Sequence, residues 1–260
     1  MKHAKSYIIC ATPRSGSTLL CDLLADTGVA GRPDSFFRRQ SMPWWAHHLD
    51  VSAAEWGDEH EFDRSYLTAV QRQGAGGTQV FGMRLMWESV GDLVKRLESH
   101  YPDLPSDSAR FRSAFGPSFY VHLSREDKVA QAISLLKAEQ TGLWHVAADG
   151  TERERLKPGQ APVYDAQGLA EQVAELEGHD AAWASWFARQ QIQPVRITYE
   201  ALSTEPQAAL AVVLSALGLD PTIAGTVEPR TAKLADSVSR EWEARFRTER
   251  RSPHQCHSDG

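Results

Sequence analysis

The stretch Tyr7-Ile8-Ile9-Cys10-Ala11-Thr12-Pro13-Arg14-Ser15-Gly16-Ser17-Thr18-Leu19-Leu20-Cys21-Asp22-Leu23-Leu24-Ala25 decides the fold. Tyr7 to Ala11 is a short, continuously apolar run, the pattern of a parallel strand covered on both faces. A small polar loop, Thr12 to Thr18, follows at once. From Leu19 the apolar residues recur at helical spacing, and Gly28 stands where a helix-ending glycine belongs. The unit reads strand, loop, helix. The backbone N–H groups at a helix start have no intrahelical partner, and the macrodipole adds positive potential there. A phosphate suits such a place, with Arg14 and the hydroxyls of Ser15, Ser17 and Thr18 completing its coordination. The plainer reading is a turn whose Ser and Thr residues are ordinary caps. The Gly-Lys-[Ser/Thr] of a Walker A loop is absent and Arg14 is the loop's sole cation, which argues against ATP or GTP hydrolysis.

Working outward, Val80 to Trp87 reads as a second strand interrupted by Gly82, Phe119 to Leu123 as a third and Val195 to Tyr199 as a fourth. Val129 to Gln140, Leu169 to Gln190 and the segment from Pro206 to Leu217 read as helices. Strands alternating with helices predict an α/β fold, a parallel sheet flanked by helices with right-handed crossovers, in a single domain. Pro102 to Pro117, Ala147 to Pro162 and Gly74 to Gly77 read as irregular or connecting segments, and the polar tail as frayed over 251–260. Trp183, Trp186 and Phe187, near one face of their helix, read as core.

Composition narrows the function. The 260 residues carry 28 Lys+Arg against 34 Asp+Glu, a formal charge of −6, which disfavours a nucleic-acid binder. Cys10, Cys21 and Cys256 are too scattered for a disulfide framework or a zinc site, so no metal is expected and the compartment is read as a reducing cytoplasm. The longest apolar run falls far short of the roughly 20 residues of a membrane span, and no signal-peptide pattern is visible.

A second anion site is suggested by Arg125, just past the end of the third strand, and Ser134, nine residues on in the following helix. Open α/β sheets bind ligands at that strand edge. The alternative is an arginine paired with Glu126 or Asp127 beside a small packing serine.

Taken together, Thr12-Pro13-Arg14-Ser15-Gly16-Ser17-Thr18-Leu19-Leu20, Thr27-Gly28-Val29-Ala30-Gly31, Phe36-Phe37, Gly82-Met83-Arg84-Leu85-Met86-Trp87, His122-Leu123-Ser124-Arg125, Gln131-Ala132-Ile133-Ser134 and Arg240-Glu241-Trp242 resemble the bacterial trehalose 2-sulfotransferase family over about residues 6 to 250. The resemblance implies a P-loop-like fold, one sulfotransferase domain over 1–250. It implies 3′-phosphoadenosine 5′-phosphosulfate (PAPS) as co-substrate. The loop Pro13, Arg14, Ser15, Gly16, Ser17 and Thr18 would hold its phosphosulfate end, and Arg125 with Ser134 its 3′-phosphate. It further implies a homodimer acting on a carbohydrate hydroxyl, with trehalose or a related glycan or glycolipid as acceptor.

In-line sulfuryl transfer needs charge stabilisation on the leaving phosphate, which suits Arg14, and a base for the acceptor hydroxyl. The family pattern has a glutamate immediately before the Phe-Phe pair. Here Ser35 stands there, and Asp34, one residue earlier, is the candidate base; its alternative role is a turn cap after Pro33. His47, His48 and Glu88 are further candidates. The resemblance implies a basic acceptor contact at Arg84, whose alternative is a strand-end arginine in a surface ion pair. Phe37 and Trp45 are further expected acceptor contacts, with Met42-Pro43-Trp44-Trp45 offering aromatic faces to a sugar. Two other readings stay open: a catalytically silent nucleotide-binding protein, made credible by Ser35, and a P-loop kinase-like phosphotransferase.

Overall fold

The computed structural model describes residues 5–51, 59–147, 149–230 and 236–251. Cys256 and the tail beyond Arg251 lie outside them. The chain divides into two compact units, each drawn from two segments: Met1–Glu126 with His179–Pro229, and Asp127–Gly178 with Arg230–Gly260.

The first unit holds four parallel strands, β1 (Lys5–Ala11), β2 (Val80–Met86), β3 (Ser118–Ser124) and β6 (Val195–Thr198), in the order β2-β1-β3-β6. These are the four strands that the apolar runs predict, and each parallel pairing requires the crossovers expected of alternating strands and helices. Strand β1 is central, and its alternation sends side chains to both faces. Ile8 and Cys10 pack with α2 (Met42–His48), α3 (Glu59–Ala75), α4 (Trp87–His100) and α5 (Asp107–Phe115). Tyr7, Ile9 and Ala11 pack with α1 (Ser17–Asp26), α8 (Tyr199–Thr204), α9 (Pro206–Ala216) and the 3-10 turn Pro221–Thr226. Cys10 and Cys21 are both buried, as small hydrophobes in an apolar run and on a helix face should be.

The second unit contains α6 (Lys128–Thr141), an antiparallel pair β4 (Leu143–Val146) and β5 (Glu152–Arg155), and α10 (Ser237–Arg251). Its core joins Ala132, Ile133 and Leu136 to Leu169, Val173, Leu176, Trp242 and Phe246. Helix α7 (Ala166–Arg189) contributes residues to both units. Its aromatics are core, as predicted: Trp183, Trp186 and Phe187 are buried, and the Trp183 indole N–H donates to the Ala11 carbonyl at 3.1 Å.

Several segments differ from the sequence expectation. Pro102 to Pro117 contains α5, started by Ser106, whose hydroxyl accepts the Ala109 N–H at 3.2 Å. Its buried Phe111, Ala114 and Phe115 supply the apolar face that the Ser- and Asp-rich composition masked. The segment Ala147 to Pro162 contains β5, a strand of charged residues, Glu152 to Arg155, with no apolar alternation to announce it. Gly82 does not interrupt β2. A Cβ there would run into the Tyr7 hydroxyl, which donates to the Ala30 carbonyl at 2.9 Å. Gly74 belongs to α3, and its carbonyl accepts the Arg32 N–H at 2.7 Å, anchoring the segment that leads to Asp34. The last helix runs through Arg251, one residue into the segment expected to fray.

Candidate active site

The carboxyl ends of the four parallel strands lie on one edge of the sheet, where open α/β sheets gather ligands. Thr12 follows β1, Arg125 follows β3 and Tyr199 follows β6, while Arg84 sits two residues before the end of β2. Arg84 shares its parity on β2 with Val80 and Met86, which pack on the α1 face, so its side chain reaches the start of α1.

The loop between β1 and α1 is held in an unusual conformation. Arg14 and Gly16 both adopt left-handed backbone angles, with φ of 61° and 84°. For arginine that conformation costs roughly 1–2 kcal/mol, a strain the surrounding contacts must hold. Two such contacts are visible. The Ser15 hydroxyl donates to the Thr12 carbonyl at 2.8 Å, and Arg125 donates to the Arg14 carbonyl at 3.3 Å. Gly16 is the N-cap of α1 and has no side chain to cap it, so the first-turn N–H groups are suited to an anionic guest. Ser15 is fully buried, and its hydroxyl hydrogen is engaged inside the loop.

Tyr199, which the sequence reading did not single out, completes this corner. Its ring lies against Gly16, where a Cβ would stand 2.8 Å from Cδ2. The Arg125 guanidinium lies over the same ring, 4.4 Å from its centre. The Glu200 carboxylate accepts the Glu126 N–H at 3.2 Å, tying the ends of β3 and β6 together. The aromatic residue at the end of β6 was the available signal, and it passed as an ordinary strand residue. Ser134 lies on α6 in the second unit and is partly buried there.

On the other side of the loop, Arg84 makes a fan of contacts. Its Nε donates to Ser35 Oγ at 2.8 Å, and one terminal nitrogen donates to Thr18 Oγ1 at 2.8 Å and to Ser17 Oγ at 3.5 Å. The other terminal nitrogen stands 3.6 Å from Asp34 Oδ1. Asp34 is in irregular backbone, and its carbonyl accepts the Arg84 N–H at 3.0 Å. Oδ1 accepts the Ser35 N–H at 2.6 Å. Among the described residues Oδ2 takes no hydrogen bond, and the side chain is half exposed. Cys21 lies within electrostatic reach of Arg84 and Asp34, and burial pushes its thiol up to about 12.

The expected acceptor contacts separate. Phe37 is buried among Tyr66 and Phe115, edge-on to both, so it is part of the core rather than of an open surface. Trp45 is partly buried, edge-on to Phe36, whereas Trp44 is 52% exposed and stacks on His48 with ring centres 3.6 Å apart. His47, His48 and Glu88 are exposed.

A parallel α/β sheet with a glycine-containing strand-to-helix loop at its carboxyl edge, flanked by Arg84 and Arg125, defines a protein of the P-loop-like class. Within that class the chain belongs to the Stf0 sulphotransferase family, whose model matches residues 6–249, and it is a sulfotransferase. It is 32% identical to the trehalose 2-sulfotransferase of Mycolicibacterium smegmatis, covering 94% of this chain and 95% of that one. It is 31% identical to the trehalose 2-sulfotransferase of Mycobacterium tuberculosis, covering 95% and 96% respectively. Among solved structures, the sulfotransferase domain of a Synechococcus olefin synthase aligns over 94% of both chains at 15% identity, with a TM-score of 0.45. A sulfotransferase from Alicyclobacillus acidocaldarius aligns over 94% of this chain and 91% of its own at 14% identity, with a TM-score of 0.42.

Proposed function

We propose that this sulfotransferase moves the sulfuryl group of PAPS to a hydroxyl of a carbohydrate acceptor, with trehalose the leading candidate. The observation that carries the reading is the β1–α1 loop, with left-handed Arg14 and Gly16, an uncapped helix start and Arg125 stacked beside it. These features suit a ligand bearing two separate anionic groups. The loop amides of Ser15, Gly16 and Ser17, the Thr18 hydroxyl and the Arg14 guanidinium take the phosphosulfate end, next to Pro13, and Arg125 takes the 3′-phosphate. The trehalose 2-sulfotransferases to which the chain is similar over nearly its whole length supply the acceptor class.

In this reading the reaction is one displacement. The acceptor oxygen forms a bond to sulfur while the bond from sulfur to the 5′-phosphate oxygen breaks, and the electron pair stays on the phosphate. Arg14 and the loop amides hold that growing charge. Asp34 takes the acceptor proton at Oδ2, the oxygen left open beside the hydrogen-bonded Oδ1. No γ-phosphate is transferred, so the lysine and magnesium of a Walker A site have no task. The same reading takes residues 1–250 as one sulfotransferase domain and the enzyme as a cytoplasmic homodimer. Among the described residues, no helix is long and apolar enough to cross a membrane.

Calorimetric titration with adenosine 3′,5′-bisphosphate, and separately with ATP and magnesium, tests the donor site. Binding of the bisphosphate without binding of ATP supports it. Binding of ATP alone overturns it in favour of a phosphotransferase.

A further inference from the structure

The contacts of the Arg84 guanidinium face the protein. Its Nε, one terminal nitrogen and the other point respectively to Ser35 Oγ at 2.8 Å, Thr18 Oγ1 at 2.8 Å and Asp34 Oδ1 at 3.6 Å. The side chain is 17% exposed. Its backbone N–H also holds the Asp34 carbonyl, so Asp34 is gripped at both ends by one residue. A guanidinium is planar and rigid, with its donors in fixed directions. Two hydrogen bonds and one longer ion-pair contact from that rigid group therefore tie the start of α1 to the Asp34–Ser35 segment, two elements that share no secondary structure.

We propose that Arg84 is a positioning residue that sets the Asp34 carboxylate in register with the sulfuryl donor held by the β1–α1 loop. The proposal rests on the reading of Asp34 as the base. Ser35 acquires a role in it: the side chain at the position where the family pattern has glutamate is a hydroxyl that anchors Arg84, while the neighbouring aspartate supplies the carboxylate. Misplacement of reacting groups by about 1 Å costs on the order of 100-fold in rate, so a rigid brace between base and donor is a catalytic asset. Lysine keeps the charge of Arg84 but loses the fork, and so loses the register.

The test is a cycle of Arg84→Lys, Asp34→Asn and the double variant, with kcat, the donor KM and the adenosine 3′,5′-bisphosphate Kd measured for each. Arg84→Lys is expected to lower kcat roughly 10- to 100-fold while changing the bisphosphate Kd by only about threefold. The double variant is expected to be no slower than Asp34→Asn alone, because Arg84 acts through Asp34. A merely structural arginine gives losses that multiply in the double variant, and that result overturns the proposal. So does a bisphosphate Kd that weakens as much as kcat falls. If Asp34→Asn alone turns over like the wild type, the base assignment fails, and that failure is read on a protein whose Arg84 is intact. Should Arg84→Lys not fold, Ser35→Ala removes only the partner of Nε and runs the same cycle, with a smaller loss expected and the same non-additivity required.

Discussion

Thr18 Oγ1 accepts a 2.8 Å hydrogen bond from the guanidinium of Arg84, which joins the first turn of α1 to the edge strand β2. The same guanidinium stands 3.6 Å from Asp34. The β1–α1 loop and the candidate base thus share one brace.

Arg14 is expected to matter to ligand and fold in opposite senses. Its guanidinium is assigned to the donor, and charge-assisted hydrogen bonds contribute about 1.5–3 kcal/mol, so Arg14→Ala should weaken adenosine 3′,5′-bisphosphate binding roughly 10- to 150-fold. Arg14→Gly should lose the same affinity yet melt higher than Arg14→Ala, because glycine adopts a φ of 61° without strain. Equal melting temperatures for the two variants would remove the strain argument.

Tyr199 should act through its ring. Tyr199→Phe keeps the face on which Arg125 lies at 4.4 Å and should bind the bisphosphate like the wild type. Tyr199→Ala removes a cation–π contact of about 0.5–1 kcal/mol and opens space beside Gly16, so binding should weaken by about twofold to fivefold. Isothermal titration of the two variants separates ring from hydroxyl.

Thiol chemistry offers a check on the core. Burial raises the Cys10 thiol well above its usual range and lifts Cys21 to about 12. In a Cys256→Ser variant, neither remaining cysteine should react with iodoacetamide at neutral pH until denaturant unfolds the chain. Fast labelling of one thiol in the native protein, followed by mass spectrometry, would contradict the packing of β1 or α1.

In the second unit, Asp236 is placed to sense acid. Burial works to raise its carboxyl, but hydrogen bonds from Lys137 and from Ser239 outweigh it and bring it down to about 2. A depressed carboxyl stabilises the fold fully above the unfolded value near 3.8, and that contribution is lost as pH falls toward 2. Asp236→Asn should therefore lower the melting temperature modestly at neutral pH, its side chain being 55% exposed, and the difference should shrink through that acid window. A penalty independent of pH would place the effect elsewhere.

Much of the architecture was legible because it is local. The apolar runs at Tyr7, Val80, Phe119 and Val195 all became parallel strands, and the loop from Thr12 to Thr18 reached the strand edge that its neighbours implied. Helix α5 escaped because a Ser- and Asp-rich context masks its apolar face, and strand β5 because its charged residues carry no apolar alternation and it is ordered by pairing with β4. At the site, Arg14 and Arg125 were named from charge and position, and Asp34 and Arg84 from the family resemblance. Their mutual arrangement was not readable, since the contact of Arg84 with Thr18 spans 66 residues and depends on strand parity and register. Tyr199 was missed for the same reason: its partners Gly16 and Arg125 come together only when β1, β3 and β6 align. Phe37 illustrates the opposite error, an aromatic residue beside the base segment that turned out to fill the core.

The most direct measurement is transfer of radiolabelled sulfur from PAPS to trehalose by the wild type and by Asp34→Asn. The wild type is expected to give a sulfated disaccharide and the variant at least about 100-fold less, with adenosine 3′,5′-bisphosphate bound equally by both. Label released only as inorganic sulfate, or a variant as fast as the wild type, would contradict this reading.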